Sequence, residues 1–110
     1  MEDQSNVVNK DNTEFGTNGG SDTVDRVFLL SIDEAREYFW DDNSRIAKLI
    51  DSPFKWWLRS PGSTSSYAAF VKEDGNVDNY GSSANNMRLG VRPALWLNLE
   101  ASDRIVMYKT

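Results

Sequence analysis

The first half of the chain carries apolar residues at spacings that predict one strand and two helices. The apolar run 24–30 predicts a short buried strand. Ser31 is a favourable helix N-cap, and Glu34 lies three residues further on, which is the spacing of a capping box. Apolar residues then recur at helical spacing and predict an amphipathic helix over 31–40. A second short helix is predicted over 44–50, before a proline-containing turn ends it.

The second half changes to apolar runs separated by turn residues, which predicts strands. The pair Asp74-Gly75 lies between two such runs and indicates a hairpin, because glycine tolerates the positive φ of a tight turn. Pro93 inside the last clear core strand indicates an edge position or a bulge. Two short helices followed by an antiparallel β meander predict an α+β fold. The predicted strands of this half are 54–59, 67–72, 77–80, 89–97 and 104–108.

The N-terminal segment 1–22 is rich in Asn, Asp, Thr and Gly and has few apolar residues, namely Val7, Val8 and Phe15. Such a composition is typical of a segment that is disordered or loosely docked. It also lacks the apolar core of a secretion signal. We therefore expect a polar tail over 1–22 and a single folded domain over 23–110.

Composition narrows the possible functions. A formal net charge of −5 repels a phosphate backbone and argues against nucleic-acid binding. No apolar stretch is long enough to span a bilayer. The chain has no cysteine and no histidine, which removes thiolate nucleophiles, cysteine metal sites and the commonest general base. We therefore expect a protein that is not an enzyme, with no catalytic residue, metal or cofactor.

One set of acidic and amide residues has the spacing of a calcium-binding loop, but turn formation explains it better. Asp74, Asn76 and Asp78 alternate as in a calcium-binding loop, but Gly75 occupies the wrong position and no downstream acidic residue closes the site. Turn formation explains these residues more simply.

Two arginines lie inside apolar segments, Arg59 and Arg92. Either guanidinium offers a rigid fork of donors that fits a carboxylate or a phosphate of a ligand. An internal ion pair or a bond to backbone carbonyls is the favoured interpretation, because arginines in core strands are usually paired within the protein.

The tryptophans have two interpretations. Trp56 and Trp57 are adjacent, so on a strand they face opposite sides of the sheet, and Trp96 alternates with its neighbours in the same way. Packing in the core and over the sheet is favoured above a platform for an aromatic ligand.

The segment between the two arginines is rich in Ser, Asn, Tyr and Gly. Recognition loops have this composition, because tyrosine supplies rigid contact area and Ser and Asn supply adaptable hydrogen bonds. An ordinary solvated loop is the alternative. The candidate ligand-binding residues are Ser63, Thr64, Ser65, Ser66, Tyr67, Phe70, Asn79, Tyr80, Ser82, Ser83, Asn85 and Asn86.

Three motifs resemble those of a bacterial domain of unknown function: VFLLS at 27–31, WWLRSPG at 56–62 and GVRPAL at 90–95. That domain recurs in surface and modular proteins of gut Firmicutes and their phages. It is similar to the C-type-lectin-like fold in its formylglycine-generating-enzyme-like variant. The resemblance covers about 24–99.

The same pattern is similar to the variable proteins of diversity-generating retroelements. In those proteins a lectin-like repeat is diversified at Asn codons, whereas the framework positions are kept. The resemblance implies that the twelve candidate residues form the ligand-binding face. It also implies a structural role for Trp56, Trp57, Arg59, Pro61, Gly90, Arg92, Pro93 and Trp96.

Two departures from these families matter. Strands that usually precede the 27–31 motif are missing, so either the chain is a truncated or minimal version, or a partner completes the sheet. The lectin calcium motif is also missing, which argues against calcium-dependent sugar binding. The catalytic cysteines of formylglycine-generating enzymes are missing as well, which excludes that activity. The resemblance implies a location at a cell surface or on a phage particle.

Three functional hypotheses remain. The leading one is a non-enzymatic binding module that presents the Ser/Asn/Tyr-rich face to a protein or cell-surface ligand. The second is a structural or oligomerisation domain of a larger surface protein, in which exposed aromatic residues form a homo-oligomer interface. The third is an enzyme that uses carboxylates with one of the two arginines, although no spacing in the sequence requires one.

Overall fold

A computed structural model describes residues 5–25, 27–99 and 102–107 and has an α+β architecture. All strand pairings between its named strands are antiparallel. β5, β6 and β7 form a three-stranded sheet, whereas β1–β2, β3–β4 and β8–β9 form two-stranded pairs. The elements are β1 (Ser5–Val7), β2 (Thr23–Asp25), α1 (Ile32–Tyr38), α2 (Asp42–Arg45), β3 (Ala47–Leu49), β4 (Ser52–Phe54), β5 (Trp56–Pro61), β6 (Tyr67–Val71), β7 (Val77–Ser83), β8 (Ala94–Leu99) and β9 (Ser102–Met107).

The capping box predicted for the first helix is confirmed. The Ser31 hydroxyl accepts a hydrogen bond from the Glu34 backbone N–H at 3.1 Å, and the Glu34 carboxylate accepts one from the Ser31 N–H at 3.0 Å. Two of the helix's N-terminal donor groups are thereby satisfied. α1 buries Ala35 against the core and exposes its polar side.

The predicted second helix over 44–50 is wrong beyond Arg45. Ala47–Leu49 forms β3, which pairs with β4 through a two-residue turn. Ile50 and Asp51 in this turn have φ values of 49° and 65°. Such turns normally contain Asn or Gly, so the β-branched Ile50 gives no sequence signal for one.

The strands that flank the sheet also differ from the prediction. Of the predicted strand 24–30, only its beginning is a strand, whereas Phe28 forms an isolated bridge with Ala94. β8 begins at Ala94, directly after Pro93, because proline cannot donate to a strand ladder. Gly90 instead pairs with Trp56 in a parallel bridge.

The hairpin predicted around Asp74-Gly75 is confirmed, with Gly75 at a φ of 87°. The strand predicted over 104–108 corresponds to β9, which begins two residues earlier, at Ser102. Residue 108 lies outside the described residues. Among the described residues, no helix has the length and apolar character needed to cross a bilayer.

The core lies between the three-stranded sheet, α1 and the segment before α1. Its largest fully buried side chains are Trp56, Leu30, Leu58 and Val71. Trp56 donates its indole N–H to the Arg45 carbonyl at 3.0 Å, which ties α2 to this core.

The polar segment expected to be disordered or loosely docked packs against the sheet over its described residues. β1 pairs with β2, and Asn12 and Thr17 are buried. Asn12 donates its side-chain amide to the carbonyls of Pro61 and Asn79 at 3.0 and 2.9 Å. Composition predicts a tail because the segment has few apolar residues, whereas in the structure hydrogen bonds to carbonyls of β5 and β7 hold the segment in place.

Candidate functional site

Arg59 connects three parts of the fold. Its guanidinium pairs with Glu34 at 2.5 Å and donates to the carbonyl oxygens of Leu29 and Val8 at 2.7 and 2.8 Å. It also donates to the side-chain oxygen of Asn9 at 3.1 Å. The structure therefore uses this arginine internally, in agreement with the favoured interpretation.

Arg92 has a different environment. Its guanidinium lies over the Trp56 ring at 4.7 Å and over the Phe39 ring at 5.7 Å, the geometry of a cation–π contact. Its buried Nη1 has no hydrogen-bond partner within the described part of the chain. Burial lowers the pKa of Arg92, because desolvation disfavours its charged form.

The two adjacent tryptophans lie on opposite sides of β5, as predicted. Trp56 is fully buried, whereas Trp57 is half-buried and meets the Phe70 ring edge-on at 6.4 Å. Trp96 lies in β8 opposite Ile105.

Phe70 is the candidate ligand-binding residue that the structure places in the interior. It is 6% exposed, lies opposite Trp57 in the strand register, and has the Lys55 ammonium 5.8 Å from its ring centre. The register of β6 and β7 shifts between Ala68 and Phe70. Simple alternation along the strand therefore does not predict which side Phe70 faces.

The loop between β5 and β6 lies beside β7. Ser63 donates its backbone N–H to the Tyr80 carbonyl at 2.7 Å, and Ala84 donates to the Ser66 carbonyl at 2.9 Å. Gly62 makes this contact possible, because a Cβ there would lie 2.5 Å from the Tyr80 carbonyl oxygen. The two halves of the Ser/Asn-rich segment are thereby brought together.

An aromatic cluster lies at the centre of this arrangement. Tyr80 is 57% exposed, and its ring contacts the rings of Phe15 and Tyr67 edge-on, with centres 5.6 and 5.9 Å apart. Such pairs stabilise the rings in one orientation beyond the effect of buried area. Tyr80 therefore presents an apolar surface that is already ordered.

Hydroxyl and amide side chains are frequent in the segments that carry Tyr67 and Tyr80. Thr64 and Ser66 lie 3.2 Å apart through their hydroxyls, and Asn86 donates to the Ser82 hydroxyl at 3.1 Å. The Ser63 hydroxyl is buried and has no hydrogen-bond partner among the described residues. We define the recognition face by the residues Phe15, Ser63, Thr64, Ser65, Ser66, Tyr67, Asn79, Tyr80, Ser82, Ser83, Asn85 and Asn86.

Apart from Phe15, the recognition face lies in two segments of the chain without acidic or basic residues. Residues 60–71 and 79–87 contain no Asp, Glu, Lys or Arg, although these make up 26% of the whole chain. Contacts there therefore depend on ring surfaces and neutral hydrogen bonds, which salt screens little.

The carboxylates of Asp74 and Asp78, near the recognition face, accept hydrogen bonds from residues two or three positions further along the chain. Asp74 accepts hydrogen bonds from the backbone and side chain of Asn76, and these bonds lower the pKa of Asp74. Asp78 accepts from the backbone N–H groups of Tyr80 and Gly81, each at 3.1 Å. Over the described ranges, no three His, Cys, Asp or Glu side chains are grouped so that they could hold a metal ion.

Sequence reasoning missed the contribution of the N-terminal segment. Phe15 joins the aromatic cluster, and Thr17 donates its hydroxyl to the Gly62 carbonyl at 2.6 Å. The one sequence feature that could have indicated this contribution is that Phe15 is one of few apolar residues in a polar stretch. Nothing local indicates that Asn12 and Thr17 are buried.

Comparison with known proteins identifies the family alone. No curated protein and no solved structure matches the chain significantly. A family model described as a domain of unknown function, DUF6273, matches residues 3–99 and so includes both arginine-containing motifs and the N-terminal segment. This match spans most of the sequence, and the chain belongs to the DUF6273 family.

Proposed function

We propose that this protein is a non-enzymatic binding module that uses the recognition face to hold a protein or cell-surface ligand. The observation that carries the proposal is the exposed Tyr80 ring, which contacts the rings of Phe15 and Tyr67 and lies in a part of the chain rich in hydroxyl and amide side chains. Rigid aromatic side chains surrounded by small polar ones are typical of binding sites, since the ring loses little entropy on binding.

The proposal includes a C-type-lectin-like assignment of the fold. Support comes from the motifs at 56–62 and 90–95, and from an antiparallel sheet that carries long Ser/Asn-rich connections. In this proposal the sheet and the arginines form a constant framework, and the recognition face is the part that changes between related proteins. The fold analogy supports binding in general and does not name the ligand.

Replacing Tyr80 with alanine is expected to weaken ligand binding by about 30-fold, the effect of losing a central aromatic contact. The measurement is flow cytometry of intact bacterial and epithelial cells with the fluorescently labelled protein. Binding is expected to change little with added salt, because the recognition face carries no acidic or basic side chain.

Trp40→Ala is the matched control, because Trp40 is an 81% exposed aromatic residue outside the recognition face. It should bind like the unmodified protein. Equal binding by Tyr80→Ala and the unmodified protein would contradict the proposal, as would a failure of the labelled protein to bind any cell in the panel.

Assembly into a larger structure is the second candidate function. Trp40, Ile50 and Met87 are large apolar side chains with at least four fifths of their surface exposed. Exposed apolar surface of this kind can form an interface between copies. A concentration-dependent sedimentation coefficient that Trp40→Ala abolishes would favour assembly, whereas a concentration-independent monomer would remove this candidate.

The similarity to retroelement-diversified proteins predicts a pattern of natural variation. Sequencing this locus across many isolates should show substitutions concentrated at the recognition face, with Trp56, Arg59, Gly90 and Arg92 constant. Buried and internally paired side chains tolerate few replacements, whereas exposed ones tolerate many. Variation spread evenly over the surface would exclude diversification and leave a binding module of fixed specificity.

A further inference from the structure

A cleft beside the N-terminal segment is a second candidate site. A cleft of about 410 Å³ opens between the segment 8–14, helix α1 and the end of β5. This volume is within the range of small-ligand pockets. The cleft shares only Asn79 with the recognition face.

Most cations that line the cleft are already neutralised. Lys10 pairs with Asp33 at 3.3 Å, and Arg59 pairs with Glu34 at 2.5 Å. Arg59 is committed further by its bonds to backbone carbonyls. Of the lining cations, this leaves Arg36 without an ion pair among the described residues.

The carboxylates outnumber the cations in the lining. Asp11, Glu14 and Glu37 line the cleft in addition to the two paired acids, so five carboxylates stand against three cations. Asp11 accepts a hydrogen bond from the Gly19 backbone N–H. The carboxylates of Glu14 and Glu37 have neither an ion pair nor a hydrogen bond within the described part of the chain.

Tyr38 adds an aromatic group to the same lining. Its side chain is 40% exposed, and ring faces attract cations. The pKa of its phenol is raised, mainly by burial and then by the charges of Glu37 and Glu34. The second cause comes from two of the acidic side chains that line the cleft, so it reflects the same negative charge.

We propose that this cleft binds a cationic side chain, the ammonium of a lysine or the guanidinium of an arginine in a peptide. The cavity supplies the space, Glu14 and Glu37 supply unpaired negative charge, and Tyr38 supplies a ring. An anionic ligand would meet the excess of carboxylates. The site is independent of the proposed function, since Glu14, Glu37 and Tyr38 lie outside the recognition face and the contacts are charged.

The test is an NMR titration of the ¹⁵N-labelled protein with N-acetyl-lysine-methylamide. Backbone signals of residues 10–14 and 33–38 should shift with a millimolar dissociation constant. Glu14→Gln and Glu37→Gln should each weaken binding about fivefold, the effect of losing one exposed charge contact. N-acetyl-arginine-methylamide should shift the same signals. Added salt should also weaken binding, unlike binding at the recognition face.

Two controls decide the outcome. Glu73→Gln removes the same charge at an exposed position in the β6–β7 turn and should leave binding unchanged. The ε-acetylated lysine probe has no positive charge and should not bind. The proposal is overturned by equal shifts with the acetylated probe, by equal weakening in Glu73→Gln, or by no shifts up to tens of millimolar. Glu37→Gln should keep full cell binding through Tyr80, so the two proposals can fail separately.

Discussion

Replacing Arg59 with methionine is expected to lower the free energy of unfolding by about 3–5 kcal/mol. The substitution keeps most of the side-chain length but leaves the Glu34 carboxylate without its partner in a mostly buried position. It also removes the hydrogen bonds to the carbonyls of Leu29 and Val8. Urea unfolding followed by tryptophan fluorescence measures the loss.

Lys10→Met is the matched control for this prediction. It breaks the Lys10–Asp33 pair, whose two side chains are about two-thirds exposed. Exposed pairs contribute at most about 1 kcal/mol. Adding Glu34→Gln to Arg59→Met should recover part of the loss, because the uncompensated buried charge disappears. Similar losses in Arg59→Met and Lys10→Met would show that Arg59 does not connect the fold as its contacts indicate.

The second large effect is expected at Gly75. Gly75 has a φ of 87°, and a Cβ there would collide with the backbone carbonyl of Asp42. Arg45 also donates to the Gly75 carbonyl at 2.8 Å, so the turn cannot move without disturbing α2. Gly75→Ala should therefore cost more than about 3 kcal/mol and lower Tm by roughly 12 °C or more.

Gly20→Ala separates the two causes of that loss. Gly20 has nearly the same φ, 83°, but an added Cβ would meet nothing within 4 Å. It therefore reports the backbone strain alone, about 1–2 kcal/mol. The excess loss in Gly75→Ala measures the collision with Asp42. Equal changes in Tm for the two variants would mean that the hairpin turn moves freely away from α2.

The two proposed sites differ in the forces that they use. The recognition face is neutral and aromatic, whereas the cleft is charged and lined largely by α1 and the N-terminal segment. Salt should separate them, because screening weakens only the second. The N-terminal segment contributes to both, through Phe15 on one side and Glu14 on the other.

The sequence by itself determined the local elements. The Ser31–Glu34 capping box and the Asp74-Gly75 hairpin depend on contacts within a few residues, which a local pattern records. The opposite orientation of Trp56 and Trp57 follows from strand geometry alone. Composition likewise excluded histidine- and cysteine-based chemistry, because those residues are missing from the chain.

Only the tertiary structure decided which distant groups meet. Arg59 and Arg92 have similar sequence surroundings, yet one pairs with Glu34 and the other lies over Trp56, since their environments come from segments far apart in the chain. Ala47–Leu49 is a strand that pairs with the adjacent β4, and this local pairing escaped prediction because its turn contains Ile50 instead of Asn or Gly. Asn12 is buried where carbonyls of β5 and β7, 49 and 67 residues further on, accept its amide protons. Such partners are fixed by packing over long separations, and no local periodicity records them.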